Sequence, residues 1–192
     1  MIMQKSRTDR QTMNMGRKLK LLIAALASML LVLTSVPAAN ATYFSGGMYT
    51  TKFSVRYVGA NSTMSSLFDQ SRGNWNSAGV GAGISKNLSS AHAMRAGSYT
   101  NEWYGLYSST GNRALKTTKF NVYVNTRTLY RDMPNKVSTT WYLSTGTHEL
   151  GHALSLADNP STSSASLMKH SRNRSTIYKP QTYDKNEVKR IY

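Results

Sequence analysis

The segment His148-Glu149-Leu150-Gly151-His152 constrains this chain more than any other stretch. Two histidines four residues apart meet on one side only when the backbone between them is helical, because positions i and i+4 then stack one turn above the other. The surroundings agree: Leu150, Ala153, Leu154 and Leu156 supply an apolar helix face. The pattern predicts one long helix from Thr139 to Leu156. It stops at Asp158-Asn159-Pro160, which is a turn signal.

Two imidazoles projecting side by side can bind one metal ion. Zinc accepts nitrogen ligands, and its catalytic sites use three protein ligands with one position left for water or substrate. Glu149 stands beside the same ion, where it can take a proton from a metal-activated water and pass it to a leaving amine. With 4 histidines in 192 residues, the match arises on the order of once in a thousand shuffled chains, which makes it a specific form of the motif. The competing reading is a surface helix with two solvated histidines. The third ligand must come from elsewhere. Asp158 lies at the predicted helix end, where the chain can turn back, and a carboxylate oxygen is an acceptable zinc ligand. His170, in a polar stretch beyond it, is the best alternative. His92, far upstream between alanines, reads as a satisfied strand histidine.

The run from His148 to Asp158 resembles the metzincin motif, H-E-x-x-H-x-x-G-x-x-H followed by a Met-turn. Ser166-Leu167-Met168 looks like that turn, with Met168 as a floor beneath the metal. An aspartate as third ligand is similar to the snapalysin-like variant, and the catalytic region resembles small bacterial matrixin-like peptidases. The resemblance covers Ser138 to Met168. It implies a zincin fold with a twisted, mostly parallel sheet, an active-site helix and a small irregular C-terminal subdomain. It implies a zinc endopeptidase whose ligands are His148, His152 and Asp158, with Glu149 as catalytic base. It also offers Phe120 to Asn125 either as an edge strand that pairs with extended substrate or as an ordinary sheet strand, and Tyr178 or Tyr183 as a phenol for the tetrahedral intermediate. The sequence departs from the pattern at Ser155, where the family has glycine. Either serine takes a left-handed conformation there, costing on the order of 1 kcal/mol, or the helix runs one residue further.

The first 41 residues read as a segment apart. Lys5, Arg7, Arg10, Arg17, Lys18 and Lys20 precede an uncharged run from Leu21 to Val36, then Pro37 and Ala39-Asn40-Ala41. That basic, apolar, small-residue order is the order of a secretory signal peptide with an A-x-A cleavage site. The expectation is a signal peptide over 1–41, a single catalytic domain over 42–192, and no stable membrane insertion after cleavage. There is no cysteine, which excludes disulfides, thiolate ligands and cysteine nucleophiles. Export without disulfides points to release across a single, Gram-positive-like bacterial membrane. The net charge of +16 suits electrostatic association with anionic wall polymers. The basic residues are dispersed and form no nucleic-acid motif. Nothing indicates structural Ca2+, and a monomer is expected. Besides a peptidase acting on polypeptides, a zinc hydrolase or a binding protein acting on cell-wall peptides or surface polymers fits the same composition.

Further elements follow from periodicity. Lys52 to Val58 and Lys119 to Asn125 alternate as half-buried strands do. Asn61-Ser62-Thr63 can cap a helix from about Met64 to Trp75. Val80 to Ile84 and Ala91 to Ala96 read as short strands, and Ser98 to Thr110 as a polar, aromatic loop. After Pro160 the chain reads as irregular until a short helix over Asp184 to Tyr192. Strands and helices mixed in this order predict an α+β (mixed α/β) domain.

Overall fold

The computed structural model describes residues 43–134 and 138–192. They fall within one unit of the chain, Asn40–Tyr192. The expected signal peptide and its cleavage site lie outside the described residues.

Strand β1 (Lys52–Val58) buries Phe53 and Val55 and leaves Lys52, Ser54 and Arg56 on the other face. Helix α1 (Ser62–Asn76) starts where expected, because the Asn61 side chain accepts a hydrogen bond from Met64 N at 2.9 Å. Such a cap is worth about 1 kcal/mol. The helix buries Met64, Leu67, Phe68, Ser71 and Trp75, the i, i+3, i+4 rhythm of an amphipathic face. Strand β2 (Gly83–Lys86) begins later than Val80. Gly79 and Gly81 take positive φ, 70° and 71°, and turn the chain first. Asn76 then fixes the start of the strand by holding Ile84 N and O through its amide, at 2.8 and 3.0 Å.

Strand β3 (Ala93–Gly97) and strand β5 (Lys119–Asn125) were both legible as strands. Strand β4 (Gly105–Thr110) was not. The sheet order is β2-β1-β3-β5-β4, parallel except that β4 pairs antiparallel with β5. Of the two readings of Phe120 to Asn125, this excludes the edge strand. β5 has a partner on either side, so its main chain is already paired, and β4 is the edge on that side. The register aligns Tyr57 with Met94 and Met94 with Val122, which places Phe53, Val55, Met94, Phe120, Val122 and Val124 on one apolar face.

Helix α2 (Thr126–Asp132) follows β5 directly. Helix α3 (Thr140–Ala153) is the predicted long helix, about one turn shorter at its C-terminal end. It packs against α1 and over β4 and β5. Every residue from Leu143 to Ala153 is buried, so α3 is a core helix rather than an amphipathic surface one. Trp75 pins the two helices together: its indole Nε1 donates to Thr147 O at 2.8 Å. Truncating a buried tryptophan of this kind costs about 3–5 kcal/mol. From Leu154 to Gln181 there is neither helix nor strand. Helix α4 (Thr182–Ile191) then closes against the core through Val188. No described helix is long and apolar enough to cross a membrane.

Candidate metal centre

The last turns of α3 bring His148 and His152 together, with ring centroids 5.0 Å apart and planes nearly perpendicular. Each ring is oriented by a backbone carbonyl. His148 Nδ1 lies 2.9 Å from Leu167 O and His152 Nδ1 lies 2.8 Å from Leu156 O. A carbonyl only accepts, so each Nδ1 carries the hydrogen and each Nε2 is left with its lone pair outward.

Both Nε2 atoms face Asp158. Its Oδ1 is 3.0 Å from His148 Nε2 and 3.5 Å from His152 Nε2. The three ligand atoms lie within 4.8 Å of one another. Three acceptor atoms at this separation repel unless a proton or a cation sits among them. That donor set, two imidazole nitrogens and a carboxylate oxygen, fits a zinc ion in number and kind. The three residues can therefore hold a metal ion, and the expected third ligand, Asp158, belongs to the group. His170, the alternative, is not among these three but lies close by. Its Nε2 is 2.9 Å from the same Asp158 oxygen, and Asn159 anchors its backbone N–H at 2.7 Å, so it borders Asp158 from the solvent side.

Asp158 reaches the centre because the helix ends sharply. Ser155 takes φ 64°, the left-handed conformation that glycine adopts without cost. It is fully buried. Its N–H donates to His152 O at 2.9 Å and its carbonyl accepts from Phe44 N at 2.7 Å. Of the two outcomes expected at this position, the turn is kept and serine bears the strain.

Met168 is buried against Gly151, the residue that precedes His152. A Cβ at Gly151 would run into its sulfur. The turn carrying Met168 is tied on both sides: Leu167 O receives His148, and Met168 O accepts from Asn159 N at 3.0 Å. Beneath it sits Asp184. Its carboxylate accepts from Ser166 Oγ at 2.5 Å, Leu167 N at 2.7 Å and Gln181 N at 2.8 Å. Asp184 was legible only as the start of the last helix, where it serves as the acidic member of a capping box. Its grip on the Met168 turn has no signal in the sequence.

Glu149 is 5% exposed. Its two oxygens lie 3.9 Å from His148 Nε2 and from His152 Nε2 respectively. Gly105, the first residue of β4, covers it so closely that a Cβ there would overlap Glu149 Oε1. Burial pushes the Glu149 carboxyl up to about 7, against the pull of nearby His152. Burial, with help from the Arg172 charge, pushes His148 down to about 3. At His152 burial acts in the same sense, but the Asp158 and Glu149 carboxylates outweigh it and raise the group. Burial would raise Asp158 too, yet its contacts with both imidazoles hold it well below the usual carboxylate range. Two imidazoles and a carboxylate that share one proton are the metal-free counterpart of two imidazoles and a carboxylate that share one cation.

No family model matches the sequence, and no curated protein matches it. The fold nevertheless has solved counterparts. A chain in the GM1-bound form of the ECX AB5 holotoxin superposes with a TM-score of 0.55 at 14% identity, covering 75% of this chain and 81% of that one. Myroilysin aligns with a TM-score of 0.48 at 14% identity, covering 80% of this chain and 97% of its own. Identity this low speaks to architecture alone, so chemistry has to be argued from the residues in place.

The remaining sequence candidates lie elsewhere. His92 stacks on Phe120, with centroids 4.6 Å apart, and meets Phe53 edge-on. It is part of the sheet's apolar face, but its buried Nδ1 has no partner among the described residues, so it is not the satisfied histidine expected. Two cavities flank the cluster, and neither Tyr178 nor Tyr183 lines them. Tyr104 and Tyr107 do. The first cavity, about 340 Å³, opens between Trp103–Gly105 and the chain after His170, and includes Arg172 and Arg174. The second, about 300 Å³, is more apolar and is lined by Phe44, Leu106, Tyr107 and Ala157.

Proposed function

We propose that this chain is a secreted zinc-dependent endopeptidase that cleaves extended polypeptides. One observation carries the proposal: Glu149, buried and close to both Nε2 atoms, stands beside a three-acceptor cluster fit for a cation. A purely structural ion needs no such carboxylate.

His148, His152 and Asp158 would hold the ion. When bound, it supplies Lewis acidity, polarising the scissile carbonyl and making water easier to deprotonate. Glu149 accepts a proton from the attacking water as the new C–O bond forms. It delivers that proton to the amide nitrogen as the C–N bond breaks, and the water's second proton passes from the new acid to the amine, so a carboxylate and an ammonium leave and Glu149 is restored. Its affinity for a proton, raised by burial toward neutrality, suits a group that must both take and return one near pH 7. The cation will lower that affinity and favour the carboxylate that starts the cycle. Leu167 O and Leu156 O keep the imidazoles from turning. The unpaired edge of β4 can align an extended substrate by adding it as a further strand. Secretion rests on the basic, apolar, A-x-A order of residues 1–41.

The test uses the chain lacking residues 1–41, casein and quenched peptides, with and without chelator. Cleavage that stops with chelator and returns with zinc is expected, and Glu149→Gln should lower kcat at least about a hundredfold while zinc stays bound. Absence of chelator-sensitive cleavage, or full activity in Glu149→Gln, overturns the proposal.

A further inference from the structure

We propose that the cavity beside Glu149 is a subsite for a carboxylate, in which Arg172 and Arg174 receive an acidic substrate residue immediately downstream of the cleaved bond. The inference rests on the endopeptidase reading and adds a substrate class to it.

Two cations line this cavity without a carboxylate partner among the described residues. Arg172 is 7% exposed. Its guanidinium is fixed by neutral acceptors, with Nε 3.0 Å from Ser144 Oγ and Nη1 3.0 Å from Lys169 O. Those bonds orient the group without an ion pair, and the Glu149, Asp158 and Asp184 carboxylates act on its charge only from a distance. Arg174 lies over Tyr104, 4.6 Å from the ring centroid, and 5.8 Å from Trp141. Its Nε is buried and has no hydrogen-bond partner among the described residues. A buried cation such as Arg172, and a half-buried one with an unfilled donor such as Arg174, are costly unless an anion completes them. Glu102 also lines the cavity, but its carboxylate is engaged by Arg127 at 2.9 Å and by Arg131 at 2.5 Å. Asp158 is committed to the histidines, and Glu149 to the reaction. What the cavity lacks is a further carboxylate, and an incoming side chain can supply it by charge-assisted hydrogen bonds.

The direction of β4 assigns the substrate residue once the substrate adds antiparallel to it, as β5 does on the other side of β4. β4 runs from Gly105 to Thr110. A substrate strand added antiparallel to it enters at the Thr110 end and leaves at the Gly105 end. Its residues after the cleaved bond therefore lie over Trp103–Gly105, where the arginine cavity opens. Its preceding residues lie toward Leu106 and Tyr107, over the apolar cavity. The two sides of the bond face opposite chemistry.

The experiment compares peptides that differ only in the downstream residue: glutamate, glutamine, leucine or lysine. Losing about one charged hydrogen bond predicts a 10–100-fold preference of kcat/KM for glutamate over glutamine, about 1.4–2.8 kcal/mol. In Arg174→Met that ratio should fall to about one, and in Arg174→Glu lysine should become the best of the four. If the arginines act only on the proton of Glu149, all four peptides slow alike and the ratio stays put, which overturns the proposal. Equal rates for glutamate and glutamine in the unaltered protein overturn it as well. Peptides ending one residue past the bond, as free acid or amide, separate a side-chain carboxylate from a chain terminus. A second arm needs no turnover: tryptophan fluorescence of the Glu149→Gln protein is titrated with the glutamate and glutamine peptides. Tighter binding of the glutamate peptide, abolished by Arg174→Met, supports the subsite even if no peptide is cleaved, whereas equal binding sinks it while leaving the peptidase reading intact.

Discussion

The sheet with its two long helices and the chain from Leu154 to Gln181 share one apolar core but differ in what fixes their backbone. In the first, position is fixed by repetition: Phe53, Val55, Met94, Phe120 and Val122 on one sheet face meet Leu67, Phe68 and Trp75 of α1 and the buried length of α3. Removing one contact leaves many. In the second there is no ladder and no helix. Leu154, Leu156, Leu167 and Met168 anchor it in the core, and the backbone between them is set by single polar bonds: Leu156 O to His152, Leu167 O to His148, Asn159 to Met168 O, and Asp184 beneath Ser166 and Leu167. The candidate centre draws two donors from the redundant region and one, Asp158, from the other. Its weakest coordinate is therefore the carboxylate, and variants in the two regions should fail in different ways.

The largest difference is expected at Asp184. Asp184→Ala leaves Ser166 Oγ and the Leu167 amide buried without an acceptor, at about 1–3 kcal/mol each, so about 2–6 kcal/mol for the two, and also frees the half-buried Gln181 amide. Because the affected bonds lie in the loop region, zinc affinity should fall more steeply than helix content. Denaturant unfolding together with zinc titration measures both, and unchanged zinc affinity in a folded variant would show that the Met168 turn does not depend on this carboxylate. Next comes Gly105→Ala, in the regular region. Its Cβ overlaps Glu149 Oε1 and approaches Thr145, so the base must move while the metal ligands stay. A displacement of this size costs about a hundredfold in kcat/KM, with zinc content unchanged. Loss of zinc instead would mean that β4 and the ligand helix shift together.

Glu149 sharpens the comparison from within the core. Its carboxyl is raised by burial from the ordinary 4.5 to about 7. The folded protein thus prefers the protonated form, and its stabilising contribution is present below about pH 4.5 and lost as pH rises through about 7. In metal-free protein this amounts to on the order of 2–3 kcal/mol across that window. Glu149→Gln has no proton to lose, so its denaturation midpoint should gain on that of the unaltered protein as pH rises from 4.5 to 7.5 in chelator. Parallel curves would contradict the burial argument.

The same contrast explains what the sequence revealed. β1, α1, β5 and α3 carry their own periodicity and were legible within a few residues. β4 was hidden because its residues Gly105-Leu106-Tyr107-Ser108-Ser109-Thr110 form an exposed edge, where alternate positions need not be apolar. α2 is seven residues long and has no side-chain cap, too little for a helical period to show. At the centre, His148, Glu149 and His152 are set by helical spacing, and Asp158 by its place just past the helix end. Gly105, Arg172, Arg174 and Asp184 join them only through chain reversals that no local pattern encodes. The choice between edge and inner strand for Phe120 to Asn125 stayed open for that reason: a strand's own residues do not say how many neighbours it has.

The smallest expected effect lies at the seam between the two regions. Ser155 holds φ 64°, a conformation costing a non-glycine residue about 1 kcal/mol. Its hydroxyl lies 3.2 Å from Arg113 Nε and 3.2 Å from Tyr192 Oη, and these contacts offset part of the strain. Ser155→Gly removes the strain but also those contacts, and it loosens the unfolded chain, so stability should stay within about 0.5 kcal/mol. Ser155→Ala keeps the strain and loses the contacts, so it should be the less stable of the two, by about 1 kcal/mol. Neither should alter zinc content, since the turn to Asp158 is made by the backbone and not by the hydroxyl. An alanine variant as stable as the glycine one would mean that the hydroxyl contacts contribute nothing, and that serine is tolerated here only because the Phe44 and His152 backbone bonds hold the turn by themselves.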